Sequence, residues 1–249
     1  KSQNFAMRSI EKQLSVFAVS RNADDKAAQI AHELGAKLET SESGLSGLVL
    51  EVWEARLALR DYDRPRTRSF FVDSQIQRRV VSSRDLLARA LGQKSTTVID
   101  ATAGFGGDSF DFLRRGKRVF AVERISLIVF LLKDAIAKIE DSEERKRISV
   151  LEAVAQDIIP NLPSCDVIFL DPMFEDVEKR SAKPRKAQQL LRLIAGPSSD
   201  SNSLLEVARQ HAKQRVVVKR PRLSSSLGVE PDHCFMGKSI RYDVYFSRT

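Results

Sequence analysis

Three short strings in this chain combine residue types that could do chemistry together. The first, Asp100-Ala101-Thr102-Ala103-Gly104-Phe105-Gly106-Gly107-Asp108, places glycines between an apolar run and a helical pattern. Glycine accepts positive φ and lets backbone approach a ligand closely, so the stretch suits a small molecule lying against the main chain. Its spacing, G-x-G-G-D, is not the dinucleotide fingerprint G-x-G-x-x-G. It is not a P-loop either, because no Gly-Lys-Ser/Thr follows. A strand-to-helix turn without a ligand would use the same glycines. Glu123 stands 19 residues beyond Gly104, at the end of the next apolar run. A carboxylate there can accept hydrogen bonds from both ribose hydroxyls of an adenosine cofactor. The pair points to S-adenosylmethionine or to NAD and leaves the choice open.

The string Phe169-Leu170-Asp171-Pro172-Met173-Phe174 decides it. A nucleobase amine is a poor nucleophile because its lone pair is delocalised into the ring. The Asp171 carboxylate and the Pro172 carbonyl can accept hydrogen bonds from such an amine, aiming its nitrogen at an electrophilic methyl group and favouring rehybridisation. Phe174 would stack on the base, a contact worth about 1–3 kcal/mol. The string follows the (D/N)-P-P-(Y/F) pattern of amino-directed methyltransferases, with Met173 at the second proline. An NAD-dependent oxidoreductase would give it no task. A fourth string, Val216-Val217-Val218-Lys219-Arg220-Pro221-Arg222, ends an apolar run in cations. Arg78, Arg79 and Arg84 form a second basic cluster. Such groups can position a nucleic acid through its phosphates without reading its sequence.

These residues need a scaffold that brings them to one edge. From about residue 83, strands at Thr97–Ala101, Arg118–Val122, Ile148–Leu151, Asp166–Leu170, Arg215–Val218 and Ile240–Phe246 alternate with helices. The helices fall at Asp85–Leu91, Ser109–Arg115, Ser126–Ile139 (Ser126 as N-cap), Ala187–Ala195 and Leu204–His211. That alternation predicts an α/β fold with a doubly wound, mostly parallel sheet, whose ligands lie beyond the carboxyl ends of the strands. Residues 1–75 read as a small α+β lobe and 76–249 as the ligand-binding domain. In the lobe, strands are expected at Leu14–Val19, Leu48–Trp53 and Arg56–Leu59. A helix is expected at Asn22–Leu34, capped by Asn22 and ended by Gly35.

The 249 residues are 42% hydrophobic and 30% charged, enough apolar material for a core and too much for general disorder. No apolar run is long enough to span a membrane, and the start, Lys1-Ser2-Gln3-Asn4-Phe5, lacks the apolar stretch of a secretory signal. Cys165 and Cys234 lie far apart, and His32, His211 and His233 are scattered, so no metal site is expected. A soluble cytoplasmic protein is the resulting expectation. The net charge of +8 is concentrated: residues 176–222 carry 12 Lys+Arg against 4 Asp+Glu, and the rest of the chain balances. Such an imbalance marks contact with a polyanion, nucleic acid first.

The strings DATAGFGGD, AVER, FLDPMF and VVVKRP occur in this order. Over roughly residues 70–249 the chain resembles the RsmJ family of bacterial methyltransferases. The resemblance implies a class I, Rossmann-like, S-adenosylmethionine-dependent enzyme that methylates the exocyclic N2 of a guanosine in 16S ribosomal RNA. By position it implies Gly107 and Asp108 at the methionine end of the cofactor, Glu123 and Arg124 at the ribose, and Val154 and Ala155 at the adenine. Asp171 would stand between cofactor and target amine, and Asp100, Gly104 and Gly106 complete the expected cofactor set. It further implies that Arg78, Arg79, Arg84, Lys183, Arg185, Lys186, Lys219, Arg220 and Arg222 face RNA. The chain departs from the family pattern at Gly107, where an Arg is usual, at Val154-Ala155, where a Ser pair is usual, and at Glu175, where a Pro is usual. The alternatives are another exocyclic amine (adenine N6 or cytosine N4), a protein amide, and a non-enzymatic RNA-binding module.

Overall fold

The computed structural model describes residues 14–64, 67–74, 85–172, 186–195 and 201–247. Two sheets organise them. The first is ordered β2-β1-β3-β4, from β1 (Leu14–Ala18), β2 (Lys37–Glu39), β3 (Leu48–Val52) and β4 (Leu57–Asp61). Strand β1 is parallel to both β2 and β3, while β3 and β4 are antiparallel. Helix α1 (Asp24–Leu34) crosses from β1 to β2, so the lobe contains a parallel βαβ unit that its α+β reading did not include. Gly35, at φ 60°, ends α1 as expected, whereas Asn22 lies in a 3-10 turn and no side chain caps the helix start.

The second sheet is ordered β10-β11-β9-β8-β5-β6-β7. Its strands are β5 (Thr97–Asp100), β6 (Arg118–Glu123), β7 (Ile148–Glu152), β8 (Val167–Leu170), β9 (Arg215–Pro221), β10 (His233–Met236) and β11 (Ile240–Phe246). Strands β5 to β9 are parallel, and the β10–β11 hairpin joins antiparallel to β9. The chain runs outward from β5 through β6 to β7, then returns to β8 on the other side of β5. The winding therefore reverses between β5 and β8, and in open α/β sheets that reversal opens the ligand crevice.

The helices are α2 (Leu86–Leu91), α3 (Gly107–Arg114), α4 (Ser126–Ala137), α5 (Ser142–Lys146), α6 (Ala155–Ile158), α7 (Lys186–Ala195) and α8 (Ser201–His211). They cover both faces of the sheet. In β8, Val167 and Phe169 enter one apolar cluster with α2, α3 and α4, while Ile168 and Leu170 enter a second with α6 and α8. Burial on both faces is why the parallel strands are continuous apolar runs. Phe169 meets Phe112 of α3 edge-on, with ring centroids 4.9 Å apart. Ser126 does not cap α4; its hydroxyl donates to Glu152 Oε1.

The first lobe adds to the same core. Leu14, Leu50 and Leu59 belong to the cluster that contains Phe110, Leu113 and Leu132. Two further ties cross between the sheets. The Leu57 N–H donates to Asp134 Oδ2 at 3.0 Å, and the Phe70 ring lies 4.9 Å from that of Phe105 in the glycine turn.

Candidate active site

The loops leaving β5, β6, β7 and β8 line one cleft of about 740 Å³, open to solvent. Gly104, Glu123, Arg124, Val154, Ala155, Asp171 and Pro172 all border it, together with Thr102, Leu191 and Leu204. Residues that are distant in sequence and were expected to share one ligand thus share one wall.

Glu123 ends β6 with its carboxylate turned toward the glycine turn. Its Oε2 accepts from the Gly104 N–H at 3.0 Å and its Oε1 from the Ile125 N–H at 2.9 Å. Burial pushes its pKa up, and the backbone N–H groups of Ile125, Gly104 and Arg124 work against that rise. Arg124 Nη2 donates to the Ala195 carbonyl at 3.0 Å and so ties α7 to the cleft.

The glycines divide their work. Gly104 borders the cleft at φ 52°, where a Cβ would come within 3.3 Å of Leu191. Gly106, at φ 79°, does not border it. A Cβ there would meet Leu132 at 2.5 Å and Phe110 at 2.9 Å, so this glycine lets α3 pack against α4. Gly107 opens α3 and is likewise absent from the cleft wall. Asp100, expected to touch the cofactor, is 1% exposed beneath the turn. It accepts from Ser109 Oγ at 2.5 Å and from the Thr102 N–H at 3.3 Å. Burial, with Asp108 close by, pushes its pKa up to about 7.

Asp171 follows β8. Its N–H donates to Thr102 Oγ1 at 2.7 Å, which couples the acid corner to the glycine turn across β5 and β8. Its Oδ2 lies 2.9 Å from Lys219 Nζ, and the same ammonium lies 2.7 Å from Asp108 Oδ2. The Asp171 side chain borders the cleft and is 36% exposed. Desolvation pushes its pKa up, the Lys219 ammonium pulls it back, and Asp108 adds to the rise. Burial works against the charge on Lys219, but the two carboxylates override it and raise its pKa well above the ordinary value.

Two expected RNA contacts are therefore corrected. Lys219 is committed to two carboxylates inside the site. Arg220, on the opposite face of the strand, is 6% exposed, and its Nε and Nη2 donate to the Ser225 carbonyl at 3.1 and 2.6 Å. Consecutive strand residues face opposite ways, and both faces here are covered. Arg222 stays exposed, with Nη1 on the Gly237 carbonyl at 3.0 Å. Phe174, Arg78, Arg79, Arg84, Lys183 and Arg185 lie outside the described residues, and of Lys186 only the helical backbone is described.

The donor set tests which cofactor fits. Ala101, Val154, Ala155 and Leu204 give the cleft apolar walls suited to a flat ring, and Glu123 and Asp171 add two carboxylates. Its guanidinium, Arg124, is already engaged. A cationic sulfonium attached to an adenosine suits this wall, whereas a pyrophosphate would face carboxylates.

Comparison with known proteins agrees. The profile of the SAM-dependent methyltransferase family matches residues 33–247. Ribosomal RNA small subunit methyltransferase J of Pseudoalteromonas atlantica is 34% identical over 253 residues, covering 92% of this chain and 98% of that protein. The like-named protein of Hydrogenovibrio crunogenus is 40% identical over 169 residues, 64% of this chain and 61% of that one; for this relative and the Coxiella burnetii proteins, at 65%, the match spans under two thirds of their length. A crystal structure of a SAM-dependent methyltransferase from Neisseria gonorrhoeae superposes with a TM-score of 0.72 at 28% identity, over 94% of this chain and 96% of that one. The sheet reversal, the acid-lined cleft at its mouth and a relative matched nearly end to end lead to one statement: this chain belongs to the RsmJ family of class I SAM-dependent methyltransferases.

Proposed function

We propose that this protein transfers a methyl group from S-adenosylmethionine to the exocyclic N2 amine of a guanosine in 16S ribosomal RNA, in the cytoplasm. The observation that carries the reading is the shared cleft. Glu123 and Gly104, suited to the adenosine part of the cofactor, border the same space as Asp171 and Pro172, suited to an amine. The relatives' name, ribosomal RNA small subunit methyltransferase J, supplies the substrate class.

Bound S-adenosylmethionine supplies an already activated methyl group, so the protein's task is placement more than activation. Glu123 fixes the glycine turn and offers its remaining lone pairs to the ribose hydroxyls. Val154 and Ala155 border the adenine. Thr102 holds the backbone of Asp171, and the Asp171 carboxylate with the Pro172 carbonyl accepts hydrogen bonds from the target amine. Asp171 then receives the proton that the nitrogen releases once methylated. Phe174, two residues on, is assigned to stacking on the base, which must leave its own stack to arrive. Arg222 and the basic residues at 78–84 and 183–186 are assigned to phosphate contacts.

Mass-spectrometric mapping of rRNA methylation in cells with and without the gene tests the proposal. One N2-methylguanosine of 16S rRNA should vanish on deletion and return with the gene but not with Asp171→Ala. Methyl incorporation by purified enzyme only into DNA, or only at adenine or cytosine amines, overturns it.

A further inference from the structure

We propose that Lys219 is a positioning residue for the transfer: by bridging Asp108 and Asp171 it favours the charged form of the Asp171 carboxylate and orients it as the acceptor of the target amine. The inference rests on the reading of Asp171 given above and adds a residue whose sequence context had assigned it to RNA.

Three segments meet at this ammonium. Lys219 comes from β9, Asp108 from the first turn of α3 and Asp171 from the end of β8, at 2.7 and 2.9 Å. One carboxylate belongs to the helix that the glycine turn starts, the other to the corner that takes the amine, so Lys219 joins the two halves of the site. Its side chain is 23% exposed and its charge is spent on these partners. Electrostatics gives the bridge its purpose. The buried Asp100 and Tyr242 also lie in the field of these two carboxylates, and neither supplies a positive charge. Without Lys219, Asp171 would share a desolvated space with like charges and take up a proton. A protonated Asp171 presents a hydroxyl donor to an amine that needs an acceptor.

The test uses the full chain, with Lys219→Met and Lys219→Arg. Methyl transfer to small ribosomal subunits gives kcat against pH, calorimetry gives the affinity for S-adenosylhomocysteine, and 13C NMR follows the Asp171 carboxyl. Lys219→Met should lower kcat roughly 100-fold and move the acid limb of the profile to higher pH. Affinity for S-adenosylhomocysteine should change less than about 3-fold, under 1 kcal/mol. The NMR titration of Asp171 should move upward with the kinetic limb, and Lys219→Arg should restore much of the rate. An unmoved Asp171 titration overturns the proposal, as does a loss of cofactor affinity equal to the loss of rate, which would make Lys219 a cofactor ligand. If Lys219→Met fails to fold, the Lys219→Arg titration decides: Asp171 stays at its wild-type position or the proposal fails. A wild-type enzyme inactive on ribosomal subunits whose Asp171 titration still depends on Lys219 leaves the bridge standing and removes the rRNA reading instead.

Discussion

The Gly104 N–H donates to Glu123 Oε2 at 3.0 Å, so the acid that closes β6 clasps the turn that follows β5. Its other oxygen accepts from Ile125 at 2.9 Å, and both bonds require an acceptor. Glu123→Gln replaces one acceptor with an amide donor and strands one of the two backbone N–H groups. A loss of about 1–3 kcal/mol in stability is expected, with a tenfold or greater loss of S-adenosylhomocysteine affinity. Thermal unfolding and calorimetry on the same sample measure both.

Asp171→Ala should abolish methyl transfer, with kcat down by roughly 10²–10⁴, while S-adenosylhomocysteine still binds and the fold is kept. Radiolabelled methyl transfer and circular dichroism separate the two effects. Loss of cofactor binding together with activity would place Asp171 on the wrong side of the reaction.

The two positive-φ glycines of the turn after β5 should fail differently. Gly106→Ala drives a methyl group into Leu132 and Phe110 and strains the backbone, which should cost about 2–4 kcal/mol of stability. Gly104→Ala shares the backbone strain, but its Cβ meets only the flexible Leu191 side chain closely, at 3.3 Å on the edge of the cleft, so it should weaken cofactor binding more than it weakens the fold. Equal unfolding temperatures for the two variants would contradict this division.

Asp100 makes a pH prediction. Its folded-state pKa is about 7, against an ordinary value of 3.8. Between these values the folded chain holds a proton that the unfolded chain has released. This group therefore lowers stability as pH rises from about 4 to about 7, and its effect is constant above that. Asp100→Asn lacks the slope. The stability difference between variant and wild type should move in the variant's favour by roughly 2–4 kcal/mol between pH 4 and pH 8, read from denaturant midpoints at several pH values.

Arg220 and Arg222, two residues apart, should behave oppositely. Arg220→Ala leaves the Ser225 carbonyl without its two donors and should destabilise the fold by about 1–3 kcal/mol. Arg222→Ala should leave unfolding unchanged, weaken RNA binding and reduce the salt dependence by about one counterion. Binding measured against salt concentration decides.

Much of this was legible in the sequence because strands buried on both faces must be apolar throughout, which made β5, β6, β8 and β9 visible. The elements that escaped were those without such a signature. Strand β2 (Lys-Leu-Glu) is polar and largely exposed, β10 is a half-exposed hairpin edge, α5 (Ser-Glu-Glu-Arg-Lys) is one polar turn, and α6 has four residues. The cleft residues Gly104, Glu123 and Asp171 were found because each ends or follows a strand. Lys219 and Arg220 were misassigned because a run of cations does not state what faces it. The partners of Lys219 are brought from 111 residues away in the case of Asp108. Gly106 looked like a ligand contact for the same reason: the atoms that exclude its Cβ lie on the next helix and later in its own.

The contact of Phe70 with Phe105 makes the amino-terminal lobe a buttress. One ring belongs to the extended strip bonded to Leu59, the other to the bend beneath which Asp100 is buried. Cutting the chain ahead of α2 would strip that bend of its outer prop and bare the leucines of α4. The smaller lobe is thus masonry of the catalytic half, and a fragment beginning at residue 85 should precipitate or bind cofactor poorly even with every cleft residue present.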